Sequence, residues 1–216
     1  MFGGKTTQSY VIVGMGGLSK PIREILGDAD FRGYYDDRVV DDAKWLGSVA
    51  DAVDGPGSLF VAIAACRNML LRRSLLDLYS ELGRLEINAV STAAYVAPSA
   101  QLGQSVVVCP LVTLHSNVKL GDGCVIFSNT AVEHNAELGR NVNVAPGVTI
   151  AGAVSIGNDC FIGAGATLID GVSVGAGTVI GAGSLVLKSL PAGVIAYGNP
   201  ARVVRVNNLY RPVSSS

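Results

Sequence analysis

One feature constrains this 216-residue chain more than any other: an aliphatic residue recurs at every sixth position. From Val90 the series runs through Val96, Leu102, Val108, Leu114, Leu120, Ile126, Val132 and Leu138 and on to Val186, seventeen residues without a slip. Two places before each there is usually a small or β-branched residue, for example Ala100, Val112, Cys124, Ala136 and Cys160. A period of six fits neither the 3.6 of a helix nor the 2 of an alternating strand. It fits short strands joined by turns, three to a coil of 18 residues, wound into a triangular prism. The aliphatic and the small residue two before it share the inner face. The glycine that often follows the aliphatic (Gly103, Gly121, Gly139, Gly157) is expected to ease the corner. Cys124 and Cys160 then occupy inward slots two coils apart, too distant for a disulfide.

Residues 90–186 carry seven charges: Lys119, Asp122, Glu133, Glu137, Arg140, Asp159 and Asp170. A prism with so few charges makes a poor monomer surface. Some outer faces are therefore expected to be buried against sister chains, most simply in a cyclic trimer. The whole chain is 49% hydrophobic with a net charge of -1, which excludes a disordered chain and argues against a nucleic-acid binder. No apolar run is long enough to span a membrane, and MFGGKTTQSY lacks the layout of a signal peptide, so a cytoplasmic location is expected. The four cysteines have no CxxC spacing, and no metal site is expected.

The first 86 residues lack the period. SYVIVGMGG reads as a buried strand entering a glycine turn, Ser19–Leu26 as a helix with Ser19 as N-cap, and Arg32–Tyr35 as a second strand ending at Asp36-Asp37. Leu59–Ala64 reads as a third strand, followed by a helix over 67–83. This is a small α/β, doubly wound unit. Gly14-Met15-Gly16-Gly17 is a candidate phosphate cradle, and Asp36 falls where a dinucleotide fold places its ribose-binding acid. Ser19 replaces the third glycine of the GxGxxG pattern, so a tight strand–helix turn is the alternative reading. About 85 residues cannot hold both dinucleotide halves, which favours a mononucleotide site. Beyond the prism, residues 206–216 read as a loose tail.

The coils, together with VIVGMGG, GYYDDR, AVEHNAELG, AGAVSIGNDCFIGAGATLIDGVSVGAGTVIGAGS and GNPARVVR, resemble the left-handed β-helix hexapeptide acyltransferases. Within them the chain is similar to the sialic-acid- and bacillosamine-pathway, PglD-like, sugar acetyltransferases. The resemblance implies an N-terminal nucleotide-sugar-binding domain over 1–86 and a left-handed parallel β-helix of hexapeptide repeats over 87–205. It implies acetyl-CoA lying between two subunits of a homotrimer, and transfer of acetyl to the amine of a nucleotide-linked amino sugar, such as a 4-amino-4,6-dideoxyhexose. His134 matches the family's general base, Glu133 and Asn135 flank it, and the amine attacks the thioester directly.

Asn143, Gly152, Ala164, Ala182 and Arg202 match or lie near the coenzyme groove. Gly14, Met15, Gly16, Gly17, Asp36, Asp37 and Arg38 would hold the nucleotide. His115, one coil below His134, would touch the acceptor sugar or simply sit exposed on a turn. The family has an acid where Asn135 stands and a second histidine where Asn143 stands. Two other functions stay open on this sequence. One is O-acetylation of a free sugar such as sialic acid. The other is a non-catalytic scaffold or nucleotide sensor, favoured by the two asparagines.

Overall fold

The computed structural model describes residues 8–38 and 42–210. The leader reading and the last part of the tail therefore lie outside the described residues. No helix among those described is long and apolar enough to cross a membrane.

The N-terminal unit is a four-stranded parallel sheet. Strands β1 (Tyr10–Val13), β2 (Phe31–Tyr35), β3 (Trp45–Gly47) and β4 (Ser58–Val61) lie in the order β3-β2-β1-β4. All residues of β1 and β4 are buried, as continuous apolar strands covered on both faces should be. Helix α1 (Ser19–Leu26) follows the glycine turn, and α2 (Met69–Glu81) follows β4. Ser19 is not the N-cap expected: Leu18 holds that place, and the Ser19 hydroxyl donates to the Gly16 carbonyl at 2.7 Å. The short strand β3 escapes sequence reading because its three residues show no periodicity.

The prism is as the period predicts. Three parallel sheets form its faces, each strand pairing with the strand 18 residues on. The first face holds the strands at Ala89–Val90, Val107–Val108, Val125–Ile126, Asn143–Val144, Phe161–Ile162 and Val179–Ile180. The second runs from Tyr95–Val96 to Leu185–Val186, and the third from Gln101–Leu102 to Ser173–Val174. From Val108 onward every aliphatic of the series is at most 3% exposed. Cys124 and Cys160 are buried free thiols whose burial pushes each up to about 12, so both are core filler.

The corner glycines need a correction. Gly103, Gly121, Gly139 and Gly157 do not supply the turn conformation. A Cβ on any of them would meet the next coil within 3 Å, so they allow close stacking. The left-handed turn residue comes three places after the aliphatic. In most coils it is asparagine, aspartate or glycine, as at Asn117, Gly123, Asn129, Asn135, Asn141, Gly147, Asp159 and Gly165, with φ between 58° and 70°. Asparagine, aspartate and glycine tolerate that region best. Ser105 (φ 53°), Leu111 (φ 61°) and Ala153 (φ 54°) sit there without such tolerance. Ala153→Gly is expected to raise stability by about 0.5–1 kcal/mol, read as a higher urea midpoint.

The N-terminal unit covers the first face of the prism. Val107, Val125 and Asn143 point outward there, yet each is at most 2% exposed. Leu76 of α2 lies so close to Gly123 that a Cβ there would stand 2.6 Å from it. Arg72 of α2 is buried and donates to Asn141 Oδ1, while Asn141 Nδ2 donates to the Met69 carbonyl and to Asp159 Oδ1. Burial pulls the Arg72 guanidinium down to about 10, the signature of a charge held in a dry junction. Arg73 pairs with Asp159 at 3.0 Å beside it. Arg72→Ala is expected to cost about 3 kcal/mol through the lost packing and the stranded Asn141 oxygen, and Arg72→Met about 1. Equal denaturation midpoints for the two variants would contradict this reading.

After the last coil the chain forms a hairpin, and of the expected loose tail only residues 206–210 are described. Val194–Gly198 extends the first face and Ala201–Val206 returns antiparallel to it. Asn207 Nδ2 donates to the Gly177 carbonyl at 2.8 Å, and the Tyr210 ring lies over Gly177.

Candidate active site

His134 stands at the corner between the second and third faces, which is the apex opposite the face that the N-terminal unit covers. The 18-residue coil puts Ser116, His134, Gly152 and Asp170 in one column up this corner. Gly152 is there for the imidazole: a Cβ on it would lie 2.6 Å from His134 Cε1 and 2.7 Å from Nε2. Its N–H donates to Asp170 Oδ1 at 3.1 Å. The glycine thus lets the ring of His134 lie along the prism, with Nε2 directed toward the next coil.

Asn135 does hold the ring. Its Nδ2 lies 3.1 Å from His134 Nδ1, and its Oδ1 accepts from Asn117 Nδ2, one coil below, at 3.2 Å. Each terminal amide exchanges oxygen for nitrogen on half a turn about its last bond, and turning both preserves both hydrogen bonds. In the turned form His134 Nδ1–H donates to Asn135 Oδ1, leaving a free lone pair on Nε2. That tautomer is the one a general base needs. Asn135 and Asn117 are also left-handed turn residues, with φ of 58° and 60°. The replacement of an acid by asparagine at position 135 therefore suits the backbone as well as the ring.

Glu133 is not a second orienting group for His134. It faces His115, with Oε1 3.5 Å from Nε2, and the His115 ring also meets Tyr95 at 6.3 Å between centroids. His115 is thus in the same corner, one coil below.

The other expected residues lie elsewhere. Ala164 and Ala182 stack at the corner between the first and second faces, both exposed. Arg202 is paired with Tyr197 in the terminal hairpin, where Tyr197 covers Gly181, beside Ala182. Small exposed residues, one coil apart, with a cation above them, suit an extended ligand carrying phosphate. Asn143 does not join them. It is 0% exposed under the N-terminal unit and donates from Nδ2 to the Ala64 carbonyl at 3.1 Å. It is a junction residue with no surface toward a groove, and nothing in the linear sequence distinguished an outward position on a covered face from one on an open face.

The glycine turn and Asp36 come together at the carboxyl edge of the small sheet, the usual ligand edge of such sheets. Gly14, at φ 95°, packs against Ile63, and Gly16 approaches the Ala62 carbonyl; a Cβ on either would stand 3.2 Å from its neighbour, a tight fit. Nothing lies within 4 Å of the place a Gly17 side chain would take, so that side of the turn is open. Asp36 Oδ2 accepts from the Met15 N–H at 2.7 Å. Arg38 clasps Asp36 from its Nε and Nη2, both at 2.9 Å, and holds the carboxyl well below the usual carboxylate range. Asp36 thus ties the turn to Arg38, whose side chain is 71% exposed and points to solvent. Asp37 turns away and accepts from the Val49 N–H at 2.9 Å, so it is not part of this cluster. Among the described residues no group of three or more histidine, cysteine, aspartate or glutamate side chains forms a metal site. Burial pushes Cys109 up to about 11, which makes it a poor nucleophile.

Comparison with known proteins matches the fold. Residues 117–152 and 153–188 match the family described as bacterial transferase hexapeptide, six repeats. A variant of the GDP-perosamine N-acetyltransferase of Caulobacter crescentus, solved with CoA and GDP-perosamine, is 32% identical with a TM-score of 0.83, over 91% of this chain and 96% of that one. The acetyltransferase domain of PglB from Neisseria gonorrhoeae, solved with acetyl coenzyme A, is 26% identical with a TM-score of 0.82, over 91% and 98%. WeeI from Acinetobacter baumannii is 27% identical with a TM-score of 0.79, over 91% and 99%. Comparison with the sequences of curated proteins gives no match.

Proposed function

This chain belongs to the hexapeptide-repeat sugar N-acetyltransferases of the PglD-like type, and from that premise we propose that it acetylates the amine of a nucleoside-diphosphate-linked 4-amino-4,6-dideoxyhexose, with His134 as general base. The single observation that carries the role of His134 is its seat on Gly152: the coil above withholds a side chain where the imidazole needs to lie. Acetyl-CoA, when bound, supplies the thioester carbonyl and the leaving thiol. Ala164 and Ala182 offer it a smooth column, and Arg202 a guanidinium for phosphate. His134 Nε2 accepts the amine proton as the C–N bond forms and hands it to the sulfur as the C–S bond breaks. Asn135 keeps the ring in the tautomer that makes this possible.

The nucleotide edge lies on the first-face side of the prism and His134 on the opposite apex, so one chain does not unite them. A second copy does. The second face presents Tyr95, Thr113, Ala131, Thr149, Thr167 and Leu185 outward, without one charge, whereas the third carries the Lys119–Glu137 ion pair at 2.7 Å. We propose that the second face packs in a homotrimer and brings His134 of one protomer to the nucleotide edge of its neighbour. This reading follows the charge distribution and the family's habit.

The test is thiol release from acetyl-CoA with a panel of GDP-, UDP- and dTDP-linked 4-amino sugars, with GDP-perosamine included and free sialic acid alongside. Turnover on a nucleotide-linked amine is expected. Turnover on sialic acid alone would replace the proposal with O-acetylation. Acetyl-CoA binding without any turnover would favour a scaffold.

A further inference from the structure

We propose that Asp170 is the counter-charge for the acceptor ammonium, the residue that makes this site prefer an amine to a hydroxyl. The inference rests on the acetyltransferase reading above and assigns a role within that site. A Cβ on Gly152 would lie 2.7 Å from His134 Nε2 and 3.1 Å from Asp170 Oδ1. The imidazole rising from one coil and the carboxylate descending from two coils above therefore converge on one point, with only a glycine between them. The base and a negative charge share one mouth.

The other carboxylate of this corner is already engaged, since Glu133 faces His115. Asp170 enters no ion pair among the described residues, although Lys188 follows it in the column. Its hydrogen bond from the Gly152 N–H uses Oδ1 and fixes the side chain over the glycine. Oδ2 remains free to accept. Both Asp170 and His134 are exposed on the isolated chain.

The chemistry asks for such a group. A sugar amine is mostly an ammonium near neutral pH, while a sugar hydroxyl is neutral. An ammonium approaching the imidazole gains from a carboxylate about 4–6 Å away, and a hydroxyl gains little. The ammonium gives one proton to water before attack. The second passes to His134 Nε2 as the C–N bond forms and goes to the CoA sulfur as the C–S bond breaks. The products are the amide, the thiol and one released proton, so the step balances.

The experiment compares Asp170→Asn and Asp170→Glu with the wild type on the amino sugar that the wild type turns over, beginning with GDP-perosamine. The amide of the Asp170→Asn variant retains an oxygen for the Gly152 N–H, so the swap removes charge and little else. The expected result is a five- to tenfold rise in KM for the amino sugar, the scale of one partly screened charge pair. KM for acetyl-CoA stays unchanged, and so does the inhibition constant of the matching 4-hydroxy sugar nucleotide. Asp170→Glu recovers part of the loss. An unchanged amino-sugar KM in Asp170→Asn overturns the proposal. Equal losses for amino sugar, hydroxy analogue and acetyl-CoA also overturn it, because they mark a structural role. Wild-type turnover that His134→Ala abolishes keeps the parent reading intact in either case. If His134→Ala is fully active or no amino sugar is turned over, the parent reading falls and this inference falls with it.

Discussion

Alanine at position 134 is expected to lower kcat by about 10²- to 10⁴-fold, the span that a positioned general base contributes, with KM for acetyl-CoA changed less than about twofold. Three features support so large an effect. The imidazole tip rests on a glycine that leaves the space it occupies. Its Nδ1 is held by an amide that is itself held by a second amide. The other histidine, His115, is engaged by Glu133 and stands one coil lower, so it is no substitute. His134 is also exposed at the surface of the chain, so its removal leaves no core cavity and the melting temperature should stay within a few degrees of the wild type. A loss smaller than tenfold in steady-state assays would mean that water or the substrate itself takes the proton, and that His134 only lines the site.

The fold was legible because one physical constraint repeats. An inward slot that tolerates only aliphatic side chains, met every six residues, leaves a trace that local propensity does not blur. From Val108 the expected residues are the buried ones. The site was legible in part. His134, Asn135 and Gly152 lie together because residues 18 apart stack, a distance the period fixes. Asn143 was misjudged because the period gives its position on an outward slot but says nothing of what covers that slot. The cover is the N-terminal unit, through Ala64 and Met69. Asp37 reads like Asp36 in sequence, yet the chain turns between them, and only Asp36 reaches the glycine loop.

The turn chemistry shows where type and role part company. Glycine occupies two positions of the six-residue unit for two different reasons. After the aliphatic it permits stacking, and three places on it permits a left-handed backbone. Composition alone merges the two. Separated, they explain the asparagines: Asn117, Asn129, Asn135 and Asn141 share the left-handed place, and two of them, Asn117 and Asn135, also carry the hydrogen bonds that reach His134. A backbone requirement and the hydrogen bond to the imidazole are met by the same side chain, so on the reading proposed above asparagine can stand where the family has an acid.

Gly152→Ala follows from the same geometry and isolates it. The backbone at Gly152 has no positive φ, so alanine is not strained there, and the nearest atoms its Cβ would meet are the tips of two side chains, His134 and Asp170. Both tips move, so stability should change by less than about 1 kcal/mol. The ring, however, must leave its place by roughly 1 Å to restore ordinary contact, and a displacement of that size at a reacting group costs on the order of 10²-fold in kcat. The effect belongs to His134 alone. In a His134→Ala background, alanine at 152 has no ring to displace, and the double variant should be no slower than His134→Ala by more than about twofold, the mark of full coupling in a double-mutant cycle. Multiplying losses instead would show that alanine at 152 obstructs substrate or coenzyme. Gly152 would then belong to the groove rather than to the base.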